Sequence, residues 1–143
     1  MKLSNSGDHL SMDDIREFEA EQDIELPDLY IKFLIENNGG RPEKKYFTIS
    51  DEQGDSILSR FYSIGDTKNS LSKYLDIFEG RIPEDFIPIA NDPSGNILCL
   101  GIRNEYCENI FFWDHEEEND DADMSNMYYL AKNIYEFVDI LRD

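Results

Sequence analysis

The sequence predicts an α+β fold: a twisted, mostly antiparallel sheet of about five to six strands, with helices from both termini packed against it. Three observations predict it. Helical and strand-like stretches follow one another as two helices, two strands, a helix, three strands, a short edge strand and a last helix, so helices do not alternate singly with strands as in a doubly wound parallel sheet. The stretch from Ile82 to Asp114 holds the densest apolar runs, cut by two turn signals and ended by acid, which is the pattern of a meander at the centre of a sheet. The chain has 143 residues, 40% of them hydrophobic and 13% aromatic. That is enough for one domain to fold around its own core without disulfide or metal.

Residues 1–10 have no apolar signal-like run and are expected to form a flexible leader, with a single domain over 11–143. Ser11 is placed to cap a first helix, with Asp13 and Asp14 in its positive first turn and Ile15 and Phe18 on one narrow face. Ile24-Glu25-Leu26-Pro27 breaks that helix, since the residue before proline is pushed out of the α region. Pro27 suits the first turn of a second helix, in which Tyr30, Phe33, Leu34 and Asn37 keep helical spacing. Asn38-Gly39-Gly40 is expected to end it. Tyr46–Ile49 and 57–64 have strand character around a polar turn at Asp51–Asp55, and Gly65-Asp66 closes the second. Asn69 or Ser70 can cap a third helix with Leu71, Tyr74, Leu75 and Phe78 on one face and Gly80 as its stop. The meander follows as 86–90, 97–102 and 110–113. Its first turn, Asn91–Asn96, combines Asx self-bonding, a fixed proline φ and a permissive glycine. After an acidic stretch, 127–130 is expected as an edge strand, and Asn133 as the cap of a last helix facing inward through Phe137, Val138 and Leu141.

Charge is the extreme feature. Thirteen Lys and Arg against thirty-two Asp and Glu leave a formal −19. Such a surface repels nucleic-acid phosphate and anionic lipid, so neither nucleic acid nor membrane is the expected partner; a basic protein is. The same charge also serves plain solubility. Cys99 and Cys107 leave a cross-strand disulfide open, but one pair without a secretory segment favours reduced thiols in a cytoplasmic protein. No run approaches the length of a membrane span.

The motifs that carry chemistry are missing. No G-x-S-x-G pentapeptide occurs, and Gly39-Gly40 lacks the Lys-Ser/Thr tail of a phosphate loop. His9 and His115 do not combine with the two cysteines into zinc spacing. The acidic run Asp114–Asp123 lacks the central glycine and final glutamate of a calcium loop, so a solvated loop is expected there. Asp66, Asp92 and Asp114 are the carboxyls best placed for an altered pKa, and Asp92 more simply makes an Asx turn. Neither metal nor cofactor is expected.

A set of local patterns nevertheless occurs in a familiar order: Ile15–Glu21, Leu26-Pro27 with Tyr30 and Phe33-Leu34, and Asn38-Gly39-Gly40. Phe61-Tyr62 with Ile64-Gly65 follows, then Ile82-Pro83, Phe86–Ala90 with Asp92 and Gly95-Asn96, Ile110–Asp114, and Leu130-Ala131 before Phe137 and Leu141. Across roughly residues 12–142 the chain resembles the SUKH superfamily. The resemblance is to the branch shared by a yeast cell-wall-synthesis regulator and bacterial toxin-immunity proteins. It implies helices against a twisted sheet, no enzymatic activity and a protein-binding role. In bacteria it implies an intracellular immunity protein that neutralises a cognate toxin, often a nuclease or other nucleic-acid-modifying protein with a basic groove. The acidic loop after Trp113 is longer and more acidic than the pattern demands. The expected partner-binding set is therefore Tyr62, Asp66, Asp92, Trp113, Asp114, Glu116, Glu117, Glu118, Asp120 and Asp121, with acids steering and the aromatics anchoring. A regulatory module of the cell-wall type and a small-molecule-binding or enzymatic domain with a cleft over the Asp92 turn are the alternatives.

Overall fold

A computed structural model describes residues 3–65 and 68–143. Its centre is a five-stranded antiparallel meander, β5 (Arg60–Phe61), β6 (Phe86–Asn91), β7 (Ile97–Gly101), β8 (Ile110–Trp113) and β9 (Met127–Ala131), paired in that order. The α+β class and antiparallel sheet are as the pattern predicts. Two short ribbons flank the meander: β1 (Leu3–Ser4) with β2 (Arg41–Pro42), and β3 (Tyr46–Ser50) with β4 (Gly54–Ile57).

The central strands read as unbroken apolar runs because both faces of the sheet are covered. Along β7 and β8, Leu98, Leu100, Ile110 and Phe112 join one core cluster, while Ile97, Cys99, Phe111 and Trp113 join another. This is the two-residue alternation of a strand with a buried partner on each side. The larger cluster packs beneath α1 (Met12–Gln22), α2 (Asp28–Glu36) and α4 (Ile134–Ile140), through residues such as Ile15, Phe33 and Phe137. The smaller is closed by Phe78 at the end of α3 (Leu71–Phe78) and by Ile82. A fully buried side chain of this size contributes roughly 1.5–3 kcal/mol by leaving water. Pro88, which has no N–H for the ladder, sits at a register shift in β6, and both Ile89 and Ala90 beyond it join the larger cluster.

Local signals set the helix ends. Ser11 and Asp14 form a reciprocal capping box on α1, and Asp23, at φ 55°, closes it in the left-handed region. Ser70 caps α3 and Asn133 caps α4 by accepting from backbone N–H groups three residues on. In α2, Pro27 is the cap position itself and Asn37 already leaves the helix in extended conformation.

One expectation is corrected. Residues 57–64 do not form one strand. Leu58 N–H donates to Lys45 O and Ser59 N–H to Asn91 O, so the chain changes partner from ribbon to main sheet between β4 and β5. The N-terminal segment from Leu3 to Leu10 bonds to the rest of the chain. Leu3 and Ser4 pair with Pro42 and Arg41, Ser6 Oγ donates to Gly39 O at 2.8 Å, Gly7 N–H donates to Asn38 O at 2.8 Å, and Leu10 is buried. Both cysteines are free thiols, Cys99 enclosed in the smaller cluster and Cys107 exposed. No helix among the described residues is long and apolar enough to cross a membrane.

Candidate partner-binding site

The two aromatics expected as anchors are core residues. Tyr62 is 0% and Trp113 1% exposed. Tyr62 stacks on Tyr74 of α3 with ring centroids 3.9 Å apart, and burial drives its hydroxyl pKa well up. Trp113 meets Phe78 edge-on at 5.4 Å. Neither presents a face to a partner: Trp113 on β8 belongs to the smaller cluster, and Tyr62, just past β5, to the larger. Exposed aromatic surface lies instead at Tyr129, 54% exposed, which packs edge-on to Phe111.

Asp92 is buried and accepts four hydrogen bonds, from Ser94 N–H, Asn96 N–H, Asn96 Nδ2 and Ser56 Oγ, at 2.8–2.9 Å. It is an Asx turn reinforced from β4, and its lone pairs are committed to the turn. Asp66 lies outside the described residues.

The acidic loop after Trp113 is built by its own side chains. Asp114 accepts from Glu116 N–H at 3.0 Å, and the buried Asn126 donates to Asp114 O at 2.9 Å. His115 N–H and Nδ1 both meet Asn96 Oδ1, tying the loop to the Asp92 turn. Glu117 accepts from Tyr128, whose hydroxyl pKa is pushed up to about 12 by that bond. Arg81 grips Glu118 bidentately, Nε to Oε2 at 3.0 Å and Nη2 to Oε1 at 2.9 Å. Its guanidinium stands 4.7 Å from the Phe78 ring centre and 5.5 Å from that of Trp113. The hydrogen bond from Arg81 holds the Glu118 carboxyl below its ordinary value. Only Glu116, Asp120 and Asp121 of the predicted loop acids keep side chains without a hydrogen bond among the described residues.

A second acidic feature is formed by elements distant in the sequence. A cleft runs between α1 and α3 as two hollows of about 770 and 800 Å³ that share Glu21. One wall carries Asp14, Glu17 and Glu21 at helical spacing along α1; the other carries Ser72, Leu75, Asp76 and Glu79 along α3. The larger hollow has an apolar floor that includes Ile24, Leu75, Ile82 and Phe86, and Glu84 at its rim. Glu21, Asp76, Glu79 and Glu84 have no hydrogen bond or ion pair among the described residues. Asp14, Glu17 and Glu21 stand at i, i+3 and i+7, but nothing local in the sequence shows that α3 faces them. No group of three or more His, Cys, Asp or Glu among the described residues is placed to hold a metal ion.

Comparison with known proteins agrees with this architecture. The chain is similar to the "SPbeta prophage-derived uncharacterized protein YokK" of Bacillus subtilis (strain 168), 32% identical over 146 residues that cover 90% of this chain and 73% of the relative. The family model described as SMI1 / KNR4 family (SUKH-1) matches residues 9–140, the helices, the meander and the acidic loop together, and the chain belongs to that family.

Proposed function

We propose that the protein is a non-enzymatic immunity protein that neutralises a cognate bacterial toxin by binding it, the toxin being a basic nuclease or another nucleic-acid-modifying protein. The observation that carries this is charge laid on a SUKH-1 domain: −19 over 143 residues, with carboxylates at Glu116, Asp120, Asp121 and, in the α1–α3 cleft, Glu21, Asp76, Glu79 and Glu84 that have no hydrogen bond or ion pair among the described residues. Carboxylates that serve no internal bond are free to occupy the positions of substrate phosphates on a cationic groove. Complementary fields raise association by about 10²–10³ over a neutral pair at low salt. Speed matters to an immunity protein, which must capture its target before damage is done. The prophage origin of the relative suits an accessory gene of this kind.

The test is co-expression with the toxin-like product of the adjacent gene. Survival of the producing cells and a stable complex on purification are expected. Death of the cells with no complex would remove the toxin-neutralising role.

A further inference from the structure

We infer that the partner is held in the α1–α3 cleft, and that what it lays there is a Lys/Arg-rich segment with apolar side chains interleaved. The acidic loop steers; the cleft grips. A purely charged surface gives a partner little to desolvate, and residues that dominate affinity sit in pockets from which water is excluded. In the loop, Glu117 and Glu118 are already committed to Tyr128 and Arg81, and Asp114 and Asp123 cap backbone N–H groups. In the cleft the reverse holds. Four carboxylates without a partner among the described residues, Glu21, Asp76, Glu79 and Glu84, rim an apolar floor.

Like charges facing one another across a hollow repel, and Arg103 is the one cation lining it among the described residues. A cationic segment relieves that repulsion, while a neutral or acidic one does not. Its apolar side chains would meet Ile24 and Leu75, both only half-buried in the free chain. The acidic loop reaches the same hollow through Ala122, which lies between Asp121 and Asp123 in the chain, and the loop's negative charge attracts the incoming segment towards it.

The inference rests on the protein-binding role proposed above, and its test needs no toxin. The full isotopically labelled chain is titrated at physiological salt with a designed amphipathic Lys/Leu peptide and with oligolysine of equal charge. Chemical-shift changes are expected around Glu21, Ile24, Leu75 and Glu79, with the amphipathic peptide at least about tenfold tighter than oligolysine. The double variant Glu21→Lys/Asp76→Lys should weaken the amphipathic peptide at least about tenfold. Glu43→Lys/Glu52→Lys, which alters net charge equally on exposed residues away from the cleft, should weaken it by less than about threefold. No binding, equal affinity for the two peptides, or equal losses from the two variants would overturn the assignment. A toxin-neutralising protein that docks elsewhere would fail here yet pass co-expression. A regulatory protein using this cleft would do the opposite.

Discussion

Asn38 shows how much one side chain can organise. It is 3% exposed; its Nδ2 donates to Asp8 O and to Ile64 O, and its Oδ1 accepts from Ile64 N–H, each at 2.8 Å. One amide thus pins the N-terminal segment and the approach to α3 onto the end of α2. Beside it, Gly39 has φ 72°, and a Cβ there would lie 2.7 Å from Tyr62 O, so only glycine lets the two backbones approach. Asn38-Gly39-Gly40, which looks locally like a helix stop, is a junction of three segments. Asn38→Ala is expected to cost about 2–4 kcal/mol by orphaning buried backbone groups, lowering Tm by roughly 6–15 °C and speeding exchange of the Ile64 N–H. A loss below about 0.5 kcal/mol by denaturant titration would show that water replaces the amide without penalty.

At the level of elements, local spacing carries much of the structure. The caps at Ser11, Ser70 and Asn133, the α1 and α3 stripes, and the strands of the meander all follow from spacing within one element. What escaped depends on partners far along the chain: the pairing of Leu3 with Pro42, the change of partner at Leu58, and the burial of Tyr62 and Trp113. A strand's periodicity says that a side chain is on one face, not that both faces are covered. The acidic loop belongs here too, since Arg81 from the turn after α3 holds it down. Because that contact lowers the Glu118 pKa from 4.5, its stabilisation is complete above 4.5 and is lost as pH falls through the depressed folded value. Both side chains are partly exposed, so Glu118→Gln should cost only about 0.5–1 kcal/mol at pH 7. The difference from the parent should be smaller in acid, below pH 4.5, than at pH 7. Melting curves at the two pH values decide it, and a gap that persists undiminished in acid would assign the effect to packing instead of charge.

For the whole molecule, −19 is a cost as well as a lure. Four ion pairs among the described residues, Arg16–Glu19, Arg81–Glu118, Lys132–Glu136 and Arg142–Asp55, leave most carboxylates facing one another through solvent. Self-repulsion of this kind disfavours the compact state and is screened by salt, with a Debye length of about 30 Å at 0.01 M and about 10 Å at 0.1 M. Tm is therefore expected to rise by several degrees between those concentrations of sodium chloride. A flat or falling Tm would mean that the few ion pairs outweigh the many like-charge contacts. Binding a cationic partner relieves the same repulsion, so a complex should gain least from added salt.

The chain contains a single tryptophan, and its position makes it an optical gauge. Trp113 is enclosed between Phe78 and the sheet with the Arg81 guanidinium nearby, at the point where the scaffold passes into the acidic loop. Phe78 also lines the larger hollow of the cleft, so the indole touches the floor of one surface and the clamp of the other. Its fluorescence should respond, without any label, when a ligand enters the hollow or when the loop is pulled away. At 1% exposure the indole should be shielded from both iodide and acrylamide in the free chain. A rise in quenching by either then reports the loop being drawn off the indole.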